Sequence, residues 1–341
     1  MLPTVSRDAG RMKLESENAV PLQWCKGTHL MGEWSRKIGE AGESIAGEFL
    51  RRIGWGAAQH GVVVPCMKGE AHGRAVDGRG THGIDYLTAR RSPLLDGVGQ
   101  NLVISVKFSD EPYPRNPNPV FKKHLAELAR GLECFRYSEE RARLLLSVRG
   151  VTRTQDIGVL IWINNDVRGP ADIISQVSTV RDDDTLSYES IYLVDNRRAQ
   201  FIFDSVDYAR GLADGVDVAF FYQDTGKNAN PLTKDTHGAF LPVEFVNSSV
   251  LAFRIADDTS KQRTLVVSTL DPFSESGLKR LMGLAQSLSQ GWSSKVVVAF
   301  PDYDRLHHEN AVQSARSCFS NASFADSAEV HCYDRDFRTL N

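Results

Sequence analysis

One short stretch limits the folds open to this chain more than any other: Leu102-Val103-Ile104-Ser105-Val106-Lys107-Phe108, an apolar run interrupted by a serine and a lysine. Residues two apart on a strand share a face. Ser105 and Lys107 therefore project together, while Ile104, Val106 and Phe108 turn toward a core. Gly83-Ile84-Asp85 precedes the run across a short hairpin, and Gly42-Glu43-Ser44-Ile45-Ala46 lies upstream in a helical pattern. A lysine beside an aspartate at the end of a buried hairpin is suited to handling phosphate and metal-bound water.

The surrounding periodicity gives the order of elements. From Arg36 to Gly54 the pattern is helical, with Ile38, Ile45, Phe49 and Ile53 on one stripe and Ala46 and Leu50 on its flank. At 100° per residue Glu43 borders that stripe, whereas Glu40 and Glu48 fall away from it. Three strand-like segments follow, at 57–65, 82–89 and 101–109, with glycines between them. The proline-dense connection 111–119 breaks regular structure before a long helix expected over about 120–147. A buried strand, 157–163, completes an α-β-β-β-α-β series. A further β-α-β, from Ile191–Val194 through 201–212 to 216–222, is read as an extension of the same sheet.

The polar run 223–238 is the best linker in the chain. Beyond it the pattern gives a hairpin (241–245 and 250–255), then strand 265–269, helix 275–289, strand 295–300, helix 306–319 and strand 329–332. That order implies a smaller α/β unit with parallel-sheet character. The expected organisation is an N-terminal arm (1–35), a first α/β domain (36–225) and a C-terminal α/β domain (240–341).

Charge and cysteine usage narrow the class. Residues 1–150 hold 22 Lys+Arg against 17 Asp+Glu, and residues 151–341 hold 18 against 26, an asymmetry hidden by the net charge of −3. The mild positive excess of the first half suits a polyanionic partner or is ordinary surface unevenness. The five cysteines (Cys25, Cys66, Cys134, Cys318 and Cys332) are odd in number and contain no CxxC pair, so no disulfide framework or zinc ribbon is indicated. Cys66, His72 and His82 lie close in sequence without zinc-finger spacing, and no metal role is expected of them. Asp182-Asp183-Asp184 reads as a solvated loop. With no leader-like start and no span able to cross a bilayer, a soluble cytoplasmic protein is expected.

Taken in order, these motifs resemble the PD-(D/E)xK nuclease superfamily, whose restriction-endonuclease-like core is α-β-β-β-α-β and corresponds here to residues 36–163. The G-E-x-x-A element of the first helix matches Gly42-Glu43-Ser44-Ile45-Ala46, the hairpin aspartate matches Asp85, and the (D/E)-x-K tripeptide falls on Ser105-Val106-Lys107. One position departs from the pattern, because the tripeptide opens on Ser105 instead of a carboxylate. Asp77, Asp110 or Glu111 are candidates to replace the missing charge.

The resemblance implies a Mg²⁺-dependent deoxyribonuclease, with Mn²⁺ as a possible substitute. Asp85, Lys107 and Ser105 would be the catalytic residues, and Glu43 and Asp85 the metal ligands. Hydrolysis would proceed by a metal-activated water, with no covalent enzyme intermediate. Lys122 and Lys123 recur with Arg130 and Arg136 along the long helix, and either contact the DNA backbone or solvate it. The layout is similar to effector subunits of bacterial defence against phage, which implies DNA and a second protein subunit or a further copy of the chain as partners. The C-terminal domain, without a legible catalytic motif, is assigned to partner binding or sensing. The other reading is a decayed nuclease fold that binds DNA or scaffolds a partner, with Ser105 as the mark of lost activity.

Overall fold

The computed structural model describes residues 28–72, 80–166, 172–181, 185–227, 234–257, 259, 261–289 and 291–334. The first sheet has five strands: β1 (Gln59–Pro65), β2 (Thr81–Arg91), β3 (Val98–Ser109), β4 (Arg153–Asn164) and β5 (Ser190–Val194), in that spatial order. β1, β2 and β3 form an antiparallel meander, whereas β3-β4 and β4-β5 are parallel. The helices are α1 (Thr28–Arg52) before β1, α2 (Asn118–Phe135) and α3 (Glu139–Ser147) between β3 and β4, α4 (Ile173–Val177) after β4, and α5 (Asn196–Ala213) after β5. The expected α-β-β-β-α-β order is present.

A second, six-stranded sheet contains β6 (Val218–Phe221), β7 (His237–Gly238), β8 (Val250–Ala256), β9 (Arg263–Thr269), β10 (Lys295–Phe300) and β11 (Ala328–Cys332), ordered β11-β10-β9-β8-β6-β7. Its β9-β10-β11 half is parallel, as expected. It carries α6 (Glu275–Ser289), α7 (Arg305–Ser317) and α8 (Ala322–Ser327).

β3 and β4 pair along twelve residues, from Val98↔Arg153 to Ser109↔Asn164. Both read as nearly continuous apolar runs because helices cover both faces. On one face Leu102, Ile104, Val159 and Ile161 share a core with Ala46, Leu50 and Ile53 of α1 and Phe201 and Ile202 of α5. That core continues into the second sheet through Leu251, Phe253 and Val266. On the other face Leu87, Val103 and Leu160 pack with Leu128, Leu132 and Phe135 of α2 and Leu144 of α3. A third cluster joins Leu265, Val267 and Val298 of the second sheet to Leu278 and Met282 of α6 and Val312 of α7.

Four local expectations change. α1 begins at Thr28 instead of Arg36. The long helix over 120–147 is two helices, because Ser138 is extended (φ −84°, ψ 156°) and its hydroxyl caps α3 by accepting from the Arg141 amide at 3.1 Å. β6 pairs with β8, so it belongs to the second sheet, and only β5 extends the first. In place of a strand at 241–245 there is a short 3₁₀ turn, Val243–Phe245. Asp182-Asp183-Asp184 lies outside the described residues.

Candidate active site

The hairpin places Tyr86 opposite Ile104, which sets Asp85 beside Ser105 on one face. The parallel register continues that face from Lys107 to Trp162 and from Ser109 to Asn164. As the alternation predicted, Ile104, Val106 and Phe108 point the other way, into or against the core that α1 covers. α1 approaches very closely here. A Cβ built on Gly42 would stand 2.3 Å from the Phe108 Cβ, so only glycine lets helix and strand meet at this point. This contact brings Glu43 to the strand ends, where the Tyr86 hydroxyl donates to the Glu43 carbonyl at 2.7 Å.

A cavity of about 420 Å³ lies at this end of the sheet. Glu43, Asp85 and Lys107 all line it, together with Glu111, His124 and Trp162. Asp85 Oδ2 accepts the Val106 amide at 2.6 Å, and Ser105 stands beside it across the hairpin. Burial pushes the Asp85 carboxyl above the ordinary range and the neighbouring Glu43 charge adds to the rise. The Val106 amide, the Lys107 charge and the Ser105 hydroxyl act in the opposite direction. Lys107 Nζ lies 3.2 Å from Glu127 Oε2 of α2. The Glu43 carboxylate faces His60 Nε2 of β1 at 3.3 Å.

Another part of the cavity lining is assembled from segments distant in sequence. The Tyr113 hydroxyl donates to the Trp162 carbonyl at 2.5 Å and its oxygen accepts the Asn196 amide at 3.1 Å. Asn196 in turn accepts the Asn164 amide at 2.9 Å. Trp162 is flanked edge-on by Tyr113 and His124, with ring centroids 5.2 and 5.4 Å away. These contacts fix the proline-dense connection over the ends of β3 and β4.

His124 is the most perturbed imidazole at the cavity. Burial, reinforced by the Lys107 and Lys123 charges, lowers its pKa from 6.5 to about 4. Its Nδ1 is buried without a protein partner. The folded state thus resists protonation, and His124 contributes stability above pH 6.5 that is lost as pH falls from 6.5 toward 4. His124→Gln is expected to flatten that part of the stability profile. Thermal unfolding midpoints of both proteins at pH 7 and pH 5 provide the check, and equal pH dependence would contradict it.

Three of the site residues expected from the sequence therefore meet at one cavity: Glu43, Asp85 and Lys107. Ser105 neighbours Asp85 across the hairpin but does not line the cavity. Lys122 and Lys123 are exposed at the start of α2 outside the cavity lining, with Lys123 near enough for its charge to act on His124. Of the possible replacement acids, Glu111 lines the cavity, Asp110 does not, and Asp77 lies outside the described residues. Sequence reasoning missed His124, Glu127, Tyr113, Trp162 and Asn164. The pairing of β4 with β3 would have found Trp162 and Asn164.

A Gly-Glu helix packed on a strand that carries a lysine beside a hairpin aspartate is the arrangement expected of a PD-(D/E)xK nuclease-type domain. Residues 31–198, just under half of the chain, match the family model of the GAPS4 protein PD-(D/E)XK nuclease domain. The match supports a PD-(D/E)xK nuclease fold for this part of the chain. No curated protein and no solved structure matches the chain.

Proposed function

We propose that the chain is a Mg²⁺-dependent deoxyribonuclease acting as an effector subunit in bacterial defence against phage or foreign DNA. The observation carrying this reading is the convergence of Asp85, Lys107 and Glu43 on one cavity in a nuclease-superfamily domain. Donor chemistry fits a hard cation. The acidic groups at the cavity offer carboxylate oxygens, and the raised Asp85 carboxyl beside Glu43 is the electrostatic situation that a divalent cation relieves. Asp85 would be the principal ligand, with Glu43 or Glu111 completing the protein's share. When bound, the cation lowers the pKa of a water and offsets charge on the phosphate.

The protein's own groups divide the remaining work. Ser105, beside Asp85 on the hairpin, would help orient that carboxylate rather than replace the acid missing from the tripeptide. Lys107 supplies a positive charge to the attacking water or to the phosphoryl oxygens in the transition state. Trp162 and Tyr113 line the cavity beside this site. Lys122 and Lys123, exposed on α2, would contact the phosphate backbone. The second sheet and its helices would serve partner binding or sensing, with a second protein subunit or another copy of this chain. No helix among the described residues is long and apolar enough to cross a membrane, and a cytoplasmic setting fits DNA as substrate.

The serine at position 105 is the one feature favouring a decayed, DNA-binding subunit. The two readings separate in an assay of linear and circular duplex DNA, single-stranded DNA and RNA with Mg²⁺ or Mn²⁺, with and without the product of the neighbouring gene. Metal-dependent cleavage of DNA is expected. Binding without cleavage of any substrate under every condition would favour the decayed subunit.

The acid side of the pH profile follows from the raised Asp85 carboxyl. Activity needs this group ionised, so it should fall at a pH above the ordinary carboxylate range as the solution is acidified. Higher Mg²⁺ stabilises the ionised form and should move the fall to lower pH. Cleavage rates against pH at two Mg²⁺ concentrations test this, and an acid limb that ignores Mg²⁺ would contradict it.

A further inference from the structure

We infer that Cys66, His72, His82 and Cys134 form a structural zinc site, separate from the Mg²⁺ site and independent of the nuclease reading. Spacing set Cys66, His72 and His82 aside because their fourth partner comes from α2, far along the chain from them. Cys66 follows β1, His72 ends the 3₁₀ turn Gly69–His72, His82 lies in β2, and Cys134 lies in the last turn of α2. One ligand atom from each falls within 4.8 Å of all the others.

The three separations that converge on His72 Nδ1 match the edges of a tetrahedron around zinc, and the remaining ones fall within 4.8 Å. Zinc bonds of about 2.3 Å to sulfur and about 2.0–2.1 Å to nitrogen set tetrahedral edges of about 3.5 Å for a sulfur–nitrogen pair and about 3.3–3.4 Å for a nitrogen pair. Cys66 Sγ and Cys134 Sγ lie 3.6 and 3.5 Å from His72 Nδ1, and His82 Nε2 lies 3.4 Å from the same atom. His72 Nε2 sits 2.8 Å from Glu133 Oε2. With its proton on that side, His72 turns the Nδ1 lone pair toward the two sulfurs and the second imidazole. One lone pair serves one S–H donor, whereas a cation satisfies all four groups together.

The surroundings match a bound metal. A carboxylate behind a ligating imidazole fixes its tautomer and raises its basicity. Glu133 is itself held, accepting from Lys68 Nζ at 3.0 Å and the Ser187 amide at 2.9 Å. The Met67 amide donates to Cys134 Sγ at 3.3 Å. His72, His82 and Cys134 are buried. Two thiolates and two imidazoles select zinc over magnesium, and four protein ligands leave no open position for substrate. Such a site would tie the β1-β2 hairpin to α2, the helix that carries His124 and Glu127 to the active cavity.

The test uses the full-length protein expressed with zinc in the medium. After gel filtration, elemental analysis should give about one zinc per chain, and cobalt substitution should give the ligand-field bands of a tetrahedral site with a thiolate charge-transfer band. Cys66→Ser and Cys134→Ser should lose the metal, whereas Cys318→Ser and Asp85→Asn should keep it. A strong chelator should lower the thermal midpoint of the wild type, and Zn²⁺ but not Mg²⁺ should restore it. If the serine variants do not fold, the wild-type zinc content and cobalt spectrum still decide. Substoichiometric zinc with no cobalt thiolate band would overturn the inference, as would a Cys66–Cys134 disulfide in the native protein. Because Asp85→Asn removes the proposed catalytic ligand without touching the zinc set, failure of either site is distinguishable from failure of the other.

Discussion

Lys107→Ala is expected to slow DNA cleavage by about two to three orders of magnitude, the usual cost of removing one electrostatic group aimed at a transition state. Stability should change little. The Lys107–Glu127 pair is partly exposed at 3.2 Å, and such pairs contribute at most about 1 kcal/mol. Loss of the ammonium also removes one of the positive charges that depress His124, so its pKa should rise from about 4. Lys107→Arg should recover only part of the rate, since a planar guanidinium does not reproduce a compact point charge. Single-turnover cleavage, DNA-binding anisotropy and the His124 titration by NMR check the three statements. A variant that cleaves at the wild-type rate would remove Lys107 from the site.

Gly42→Val is the second large effect. A Cβ at this position would overlap the Phe108 side chain, 2.3 Å from its Cβ and 2.9 Å from its Cγ. Relief requires α1 to move off β3 or Phe108 to leave its packing, at about 1–3 kcal/mol for overpacking in a closed site. Glu43 is the next residue along the helix and Lys107 precedes Phe108 on the strand, so displacement should lower activity as well as stability. Gly39 provides the control. A Cβ there meets nothing within 4 Å, and Gly39→Ala should be neutral or stabilising through helix propensity, by up to about 1 kcal/mol. Thermal unfolding of both variants decides, and an unchanged midpoint for Gly42→Val would show that the close approach is not rigid.

Much of this arrangement was legible in the sequence because it rests on local periodicity. The alternation in 102–108 assigned both faces of β3, and the helical spacing singled out Glu43 among three glutamates. What failed depends on tertiary context. Ile45 falls on the apolar stripe, yet it is 48% exposed, because the buried face of α1 turns about Gly42, Ala46, Phe49 and Leu50. The break at Ser138 rests on one extended residue within a strongly helical pattern. β6 changes sheets because it pairs with β8, a choice made across thirty-odd residues of chain. Tyr113, Trp162 and Asn196 form one wall through hydrogen bonds that no spacing announces. The Cys66, His72, His82 and Cys134 cluster escaped for the same reason: its fourth member is contributed by a helix across the sheet.

The central claim is that Asp85 and a divalent cation act together in phosphodiester hydrolysis. The most direct measurement is the rate of plasmid cleavage by purified protein as Mg²⁺ is withheld and then added back, with Asp85→Asn in parallel. No cleavage is expected without Mg²⁺, cleavage should return on its addition, and Asp85→Asn should give none at any Mg²⁺ concentration. Cleavage that persists without Mg²⁺, or that Asp85→Asn supports at the wild-type rate, would contradict the claim.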